Sequence, residues 1–158
     1  MDTIIGAEHD GCIVSMVERM SKLTMLAKAT RKTAPEVTLG IQGKLAPIAH
    51  YVLTLTSDNG KEFASHEEIA HILGADFFFA KPYHSWERGL NEHTNGLVRQ
   101  YFPKGTRFSE VSQEQLDKVE ILLNQRPRKV LGFRSPLETF QKAAEEVGRR
   151  CSLESSSF

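Results

Sequence analysis

The chain has 158 residues, 40% of them hydrophobic and 25% charged, and its twenty Lys and Arg balance its twenty Asp and Glu. That length is one domain's worth, enough to bury most of the surface an unfolded chain exposes. Zero formal net charge excludes a global field that draws the chain to nucleic acid or membrane, so an anionic partner must be met by a local patch.

Asp2 precedes a short β-type run, Thr3-Ile4-Ile5-Gly6. Glu8-His9-Asp10-Gly11 comes next, and its Asp-Gly suits a hairpin turn. Cys12–Val17 is apolar enough for a central strand. After a polar break at Met20-Ser21-Lys22, Leu23–Thr30 reads as a third. Strands joined by such short turns imply an antiparallel meander. The period then changes: Thr33-Ala34-Pro35-Glu36 is a capping-box signal with Pro in the first turn, and Val37, Ile41, Leu45 and Ile48 follow at helical spacing. Tyr51–Thr56 is the fourth strand. Ser65-His66-Glu67-Glu68 is a second capping box, leading Ile69, Ile72 and Leu73 to a terminating Gly74. Asp76–Ala80, with phenylalanine at 77, 78 and 79, predicts a buried core strand rather than a stacking platform.

A helix over about 88–101 is closed by Pro103-Lys104-Gly105. Ser112-Gln113-Glu114-Gln115 starts another, with Leu116, Val119 and Leu123 on its apolar face and Pro127 ending it. Ser135-Pro136-Leu137-Glu138 starts the last. From Arg149 onward no period is visible, so 1–148 reads as the domain and 149–158 as a loose tail or cloning remnant. The longest apolar run, residues 75–80, contains Asp76 and is far too short to span a bilayer, and the N-terminus has no signal-peptide pattern. Cys12 and Cys151 are far apart and form no ligand-spaced pair, which fits a reduced, intracellular setting.

The element order is β-β-β-α-β-α-β-α-α-α. It predicts a mixed five-stranded sheet with helices on both faces, the order of the ribonuclease H-like fold. On that order Asp58 ends the fourth strand and Glu92 lies on the opening turns of a helix, with thirty-three residues between them. Each is bland alone: Asp58-Asn59-Gly60 is good turn chemistry, and a glutamate early in a helix is favoured by the dipole. The six histidines lack Cys partners and zinc spacing, which argues against a zinc site.

Longer wording carries a resemblance. Asp2–Gly6, the strand end Val17-Glu18-Arg19, Thr54–Phe63 (Thr-Leu-Thr-Ser-Asp-Asn-Gly-Lys-Glu-Phe), Pro82-Tyr83 with Trp86–Gly89, Asn91–Leu97, Arg99–Gly105 and Asn124–Lys129 together resemble bacterial insertion-sequence transposases. The likeness is to the insertion-sequence-thirty family, within the retroviral-integrase-like DDE superfamily. It covers nearly the whole chain to about Gln141. Where related loops often read Tyr-Ser-Pro-Trp, this chain has Tyr83-His84-Ser85-Trp86. Family members also carry an N-terminal helix-turn-helix region that this chain lacks, so the resemblance implies a catalytic core.

Carried over by position, the resemblance implies Asp2, Asp58 and Glu92 as catalytic carboxylates holding two Mg²⁺ or Mn²⁺ ions, hard cations that take oxygen ligands. Such a pair suits hydrolysis at an element end and then transfer of the 3′-hydroxyl into target DNA. DNA, both terminal repeats and target, is the implied partner, together with a homo-oligomer in a bacterial, nucleoid-associated setting and no membrane. From the residues themselves, Arg88, Glu92, Asn95 and Arg99 share one helical face. Lys104, Arg126, Arg128 and Lys129, with Arg107 and Arg134, form a basic concentration suited to phosphates, and Gly89 and Gly96 leave room for close approach. A DNA-binding domain without chemistry, and a nuclease without joining, are the alternatives.

Overall fold

The computed structural model describes residues 1–81 and 85–155, with side chains for 1–81 and 89–147. Three strands form an antiparallel meander: β1 (Asp2–Ile5), β2 (Cys12–Val17) and β3 (Thr24–Ala29). Asp2 pairs with Ser15, and Cys12 with Ala29. Then come α1 (Ala34–Leu45), β4 (Thr54–Ser57), α2 (His66–Leu73), β5 (Asp76–Phe79), α3 (Ser85–Tyr101), α4 (Gln113–Gln125) and α5 (Pro136–Ser155). This is the order expected from the sequence. The helix α5 runs past Gly148 into the stretch expected to be a tail.

The five strands do not make one ladder. β4 and β5 pair in parallel as a separate two-stranded sheet. β1 is only four residues long and reaches β4 at its very start, where the Met1 ammonium donates to the Thr56 carbonyl at 2.5 Å.

The meander separates two apolar clusters, because neighbouring residues of a strand point to opposite faces. Val14 and Met16 look toward α1 and α2, packing with Val37, Ile41, Phe63 and Ile69. Ile13 and Leu26 look the other way, onto α3 and α4, with Val98, Phe108, Leu116 and Leu123. The expected apolar faces of α1 and α4 are thus buried. Ile48 is an exception, falling in a 3₁₀ turn over Ala46–Tyr51 with non-helical φ/ψ. That turn also takes Tyr51, so β4 begins three residues later than expected. Strand β5 is not a buried core strand either: Phe77 and Phe79 pack on the first cluster, but Phe78 on the opposite face is 52% exposed.

The outer edge of β3 is covered by side chains rather than by another strand. Thr24, Leu26 and Lys28 donate their amides to Asn124 Oδ1, Glu120 Oε2 and Gln113 Oε1, each at 2.8 Å. Asn124 and Gln113 also return their amide hydrogens to the Thr24 and Leu26 carbonyls, at 2.7 and 2.9 Å. Lys44 of α1 ties in by ion pairs to Asp117 (2.7 Å) and Glu120 (2.8 Å). These bonds fix α4, and with it the basic segment that follows.

Candidate active site

Asp2 opens β1 and is half-buried. Its Oδ1 accepts the Thr3 amide at 2.8 Å and its Oδ2 accepts the Asn95 side-chain amide at 2.9 Å. A carboxylate only accepts, so Asn95 presents Nδ2 to it and leaves Oδ1 for the fully buried Ser15 hydroxyl, which donates at 2.7 Å. Asn95 therefore grips an acidic side chain, where the sequence expectation gave it a DNA contact. Buried Thr94 and Val98 hold that part of α3 against the sheet. Glu92, three residues earlier, lies one turn away on the Asn95 side of the helix and is exposed.

Asp58 follows the last residue of β4 and is half-buried. Ser57 is buried, and its hydroxyl donates to the Asp58 carbonyl at 2.8 Å. Beyond it the chain turns sharply: a Cβ at Gly60 would lie 2.5 Å from Glu62 Oε2. A larger residue there would push the Glu62 carboxylate aside.

Glu62 is the acidic residue that the sequence reasoning passed over. It is 6% exposed, accepts the Thr3 hydroxyl at 3.0 Å and pairs with Lys32 at 2.7 Å. Burial pushes its carboxyl up. The Lys32 ammonium, its own backbone amide and the Thr3 hydroxyl more than offset this and hold it below the ordinary carboxylate range. Glu62 thus joins the turn after Asp58 to the residue beside Asp2. A glutamate four residues after a strand-end aspartate, in the turn that follows it, was the available signal.

The donor chemistry suits a hard cation, since all three expected ligands are carboxylates. Among the described residues, however, no three His, Cys, Asp or Glu side chains are gathered closely enough to hold a metal ion.

The expected DNA contacts divide. Lys104, Arg126 and Lys129 are exposed. Arg99 is spent on the protein: its guanidinium donates to the Ile5 carbonyl at 2.6 Å and lies 5.5 Å over the Phe108 ring, and burial pulls its pKa down. Arg128 is half-buried and donates to the Leu123 carbonyl at 3.3 Å. Arg107 faces Glu8 at 2.8 Å. Gly89 and Gly96 face open space. The side chains of Arg88 and Trp86 lie outside the described residues.

No family model matches the chain. It is 49% identical over 142 residues, 90% of its length, to the transposase for insertion sequence element IS4351 of Bacteroides fragilis. It is 44% identical over 138 residues to the transposase for IS1086 of Cupriavidus metallidurans, and 35% identical over 140 residues to transposase InsI for IS30A of Escherichia coli. The chain spans less than half the length of these relatives: 44, 41 and 37%. Among solved structures, it superposes on the catalytic core domain of BIV integrase with a TM-score of 0.67 at 25% identity, covering 92% of this chain and 94% of that one. A simian T-cell lymphotropic virus intasome chain gives 0.65 at 18% identity, a likeness of fold alone, over 87% of this chain and 52% of that one. In sequence the chain is thus similar to insertion-sequence transposases, that of IS30A among them, and in fold it is ribonuclease H-like, similar to an integrase catalytic core.

Proposed function

We propose that the chain is the catalytic domain of a DNA transposase, which hydrolyses a phosphodiester at an element end and joins the freed 3′-hydroxyl to target DNA. One observation carries this reading: Asn95 binds the Asp2 carboxylate one helical turn from Glu92, while Met1 fastens the start of the same strand to β4, whose end bears Asp58. The BIV catalytic-core fold and the IS30 relatives support it.

In this reading Asp2, Asp58 and Glu92 hold two Mg²⁺ or Mn²⁺ ions, which when bound would activate the attacking oxygen and neutralise charge on the departing one. Asn95 keeps Asp2 aimed, a positioning role that leaves it no need to touch DNA. Exposed Lys104, Arg126 and Lys129, with Arg88, contact phosphates. Arg99 braces the scaffold that presents them. DNA ends and target are the substrates, and the chain works as a homo-oligomer near the bacterial nucleoid. No helix among the described residues is long and apolar enough to cross a membrane.

A DNA-gripping domain without chemistry is the second reading, favoured by the absence of a gathered metal set among the described residues. Strand transfer of a pre-cut element-end duplex into plasmid DNA, with Mg²⁺ or Mn²⁺, separates the two. Asp58→Asn and Glu92→Gln are expected to lower joining by about 100-fold or more with unchanged melting temperature. Equal joining by wild type and both variants would sink the carboxylate assignment, and nicking of the plasmid without joined product would leave a nuclease.

A further inference from the structure

On the flank of α3 away from Glu92, a groove of about 440 Å³ opens between that helix and the segment after α4. Leu90, His93 and Val130 form its apolar and aromatic walls, and Lys22, Arg128 and Lys129 line its basic side, where the Lys22 ammonium also donates to the Arg19 carbonyl and the Arg128 guanidinium to the Leu123 carbonyl. None of its described lining residues is acidic. In a chain of zero net charge, that is a strongly one-sided lining. Lys22 enters from the β2–β3 turn, where its φ of +63° is a left-handed conformation uncommon for a side-chain-bearing residue. Arg128 keeps its Nε buried with no hydrogen-bond partner, a donor whose desolvation is uncompensated.

The segment supplying Arg128, Lys129 and Val130 is held in shape by its own backbone. The Leu131 and Phe133 amides donate to the Arg128 carbonyl, both at 3.0 Å, and Arg128 donates to the Arg134 carbonyl at 3.0 Å. Behind it, α4 is fastened to the edge of β3, so the groove has two fixed walls.

We propose that this groove is a second DNA-backbone site. It seats a phosphate against Lys22, Arg128 and Lys129, with the attached sugar or base packed on Leu90 and Val130. The inference rests on the DNA-joining reading above and extends it. Joining requires two DNA segments to be held at once, and the groove lies across α3 from the carboxylates, about one helix diameter away, on the order of 10 Å. A nucleotide unit of a DNA strand fits such a lining better than a simple carboxylate does, because its phosphate offers charge for the cations and its base a flat face for the walls.

The test uses the whole chain in EDTA, so that binding is read without the metal chemistry. Fluorescence anisotropy with a branched oligonucleotide duplex is followed over a salt series for wild type, Lys22→Ala, Val130→Asp and Lys22→Ala with Lys129→Ala. Each removed phosphate contact should reduce the salt slope by about 0.9, and the double variant should bind about tenfold more weakly near 0.1 M salt. Amide resonances of Leu90, His93 and Val130 should shift on adding the duplex. Deoxynucleoside monophosphate should compete only weakly. The proposal is overturned if Lys22→Ala and Val130→Asp leave affinity and slope unchanged, or if the mononucleotide displaces the duplex at comparable concentration, which would make this a pocket for free nucleotides. Failure of the joining reading would show as undiminished joining in Glu92→Gln, and failure of the groove as undiminished DNA affinity in Lys22→Ala and Val130→Asp, so the two are distinguishable.

Discussion

Single residues decide how the acidic centre is held. The Glu62 carboxylate lies below its ordinary range, so its stabilising contribution is fully present above the ordinary carboxylate pKa and is lost as pH falls through the folded value. Unfolding free energies measured from pH 7 to 3 should therefore decline on the acid side, and Glu62→Gln should flatten that decline. Lys32→Ala leaves the buried carboxylate with a weaker set of partners and should cost about 1–3 kcal/mol in urea unfolding at pH 7. Cys12 is another case of burial setting chemistry. Fully buried on β2, its thiol is pushed up to about 11, chiefly by loss of solvent. Peptide mapping after iodoacetamide treatment at pH 8 should find Cys12 unmodified in the folded protein and alkylated after unfolding. At this scale the sequence was a partial guide. Asp2, Asp58 and Glu92 were legible only as candidates, through the resemblance. The partners of Asp2 and Glu62 were not, since Asn95 stands 93 residues from Asp2 and Thr3 stands 59 from Glu62, and they meet only through tertiary packing.

Elements followed local chemistry where tertiary contacts did not compete. At Ser112 both halves of the capping box form: the hydroxyl accepts the Gln115 amide at 3.2 Å, and Gln115 Oε1 accepts the Ser112 amide at 2.8 Å. Ser112→Ala should cost about 1 kcal/mol, read as a lowered thermal midpoint with an unchanged far-ultraviolet spectrum. Ser135 and Glu138 pair in a similar way. Thr33 and Ser65 carry the same sequence signal yet make no side-chain cap. Glu36 is drawn backward, bonding the Thr30 hydroxyl and the Arg31 amide, and these bonds lower its carboxyl to about 2. Ser65 arrives from the 3₁₀ turn over Lys61–Phe63 with φ −85° and ψ 27°, outside the extended region a capping residue needs. Phe78 escaped the expected burial because β5 pairs with β4 alone and keeps one face open. Period and turn signals thus gave the type and order of each element, while edge position and cap occupancy depended on neighbours distant in sequence.

At the scale of the whole molecule, the meander acts as a partition between two cores. Ile41 and Ile4 are buried in different clusters on opposite faces of it. Ile41→Val and Ile4→Val should each cost about 0.5–1.5 kcal/mol, and the double variant should show their sum to within about 0.5 kcal/mol. A larger discrepancy would mean that the two faces relax together. The sequence announced the fold through element order. It did not announce that β4 and β5 stand apart, because that depends on where a four-residue strand happens to meet its neighbour. The guarding of β3 has a further consequence. Gln113, Glu120 and Asn124 occupy the ladder positions that a foreign strand would need, so α4 doubles as a barrier against polymerisation. A chain that lost these three polar side chains would keep its apolar helix face and offer a bare template to its neighbours, losing solubility as well as the stability these bonds supply.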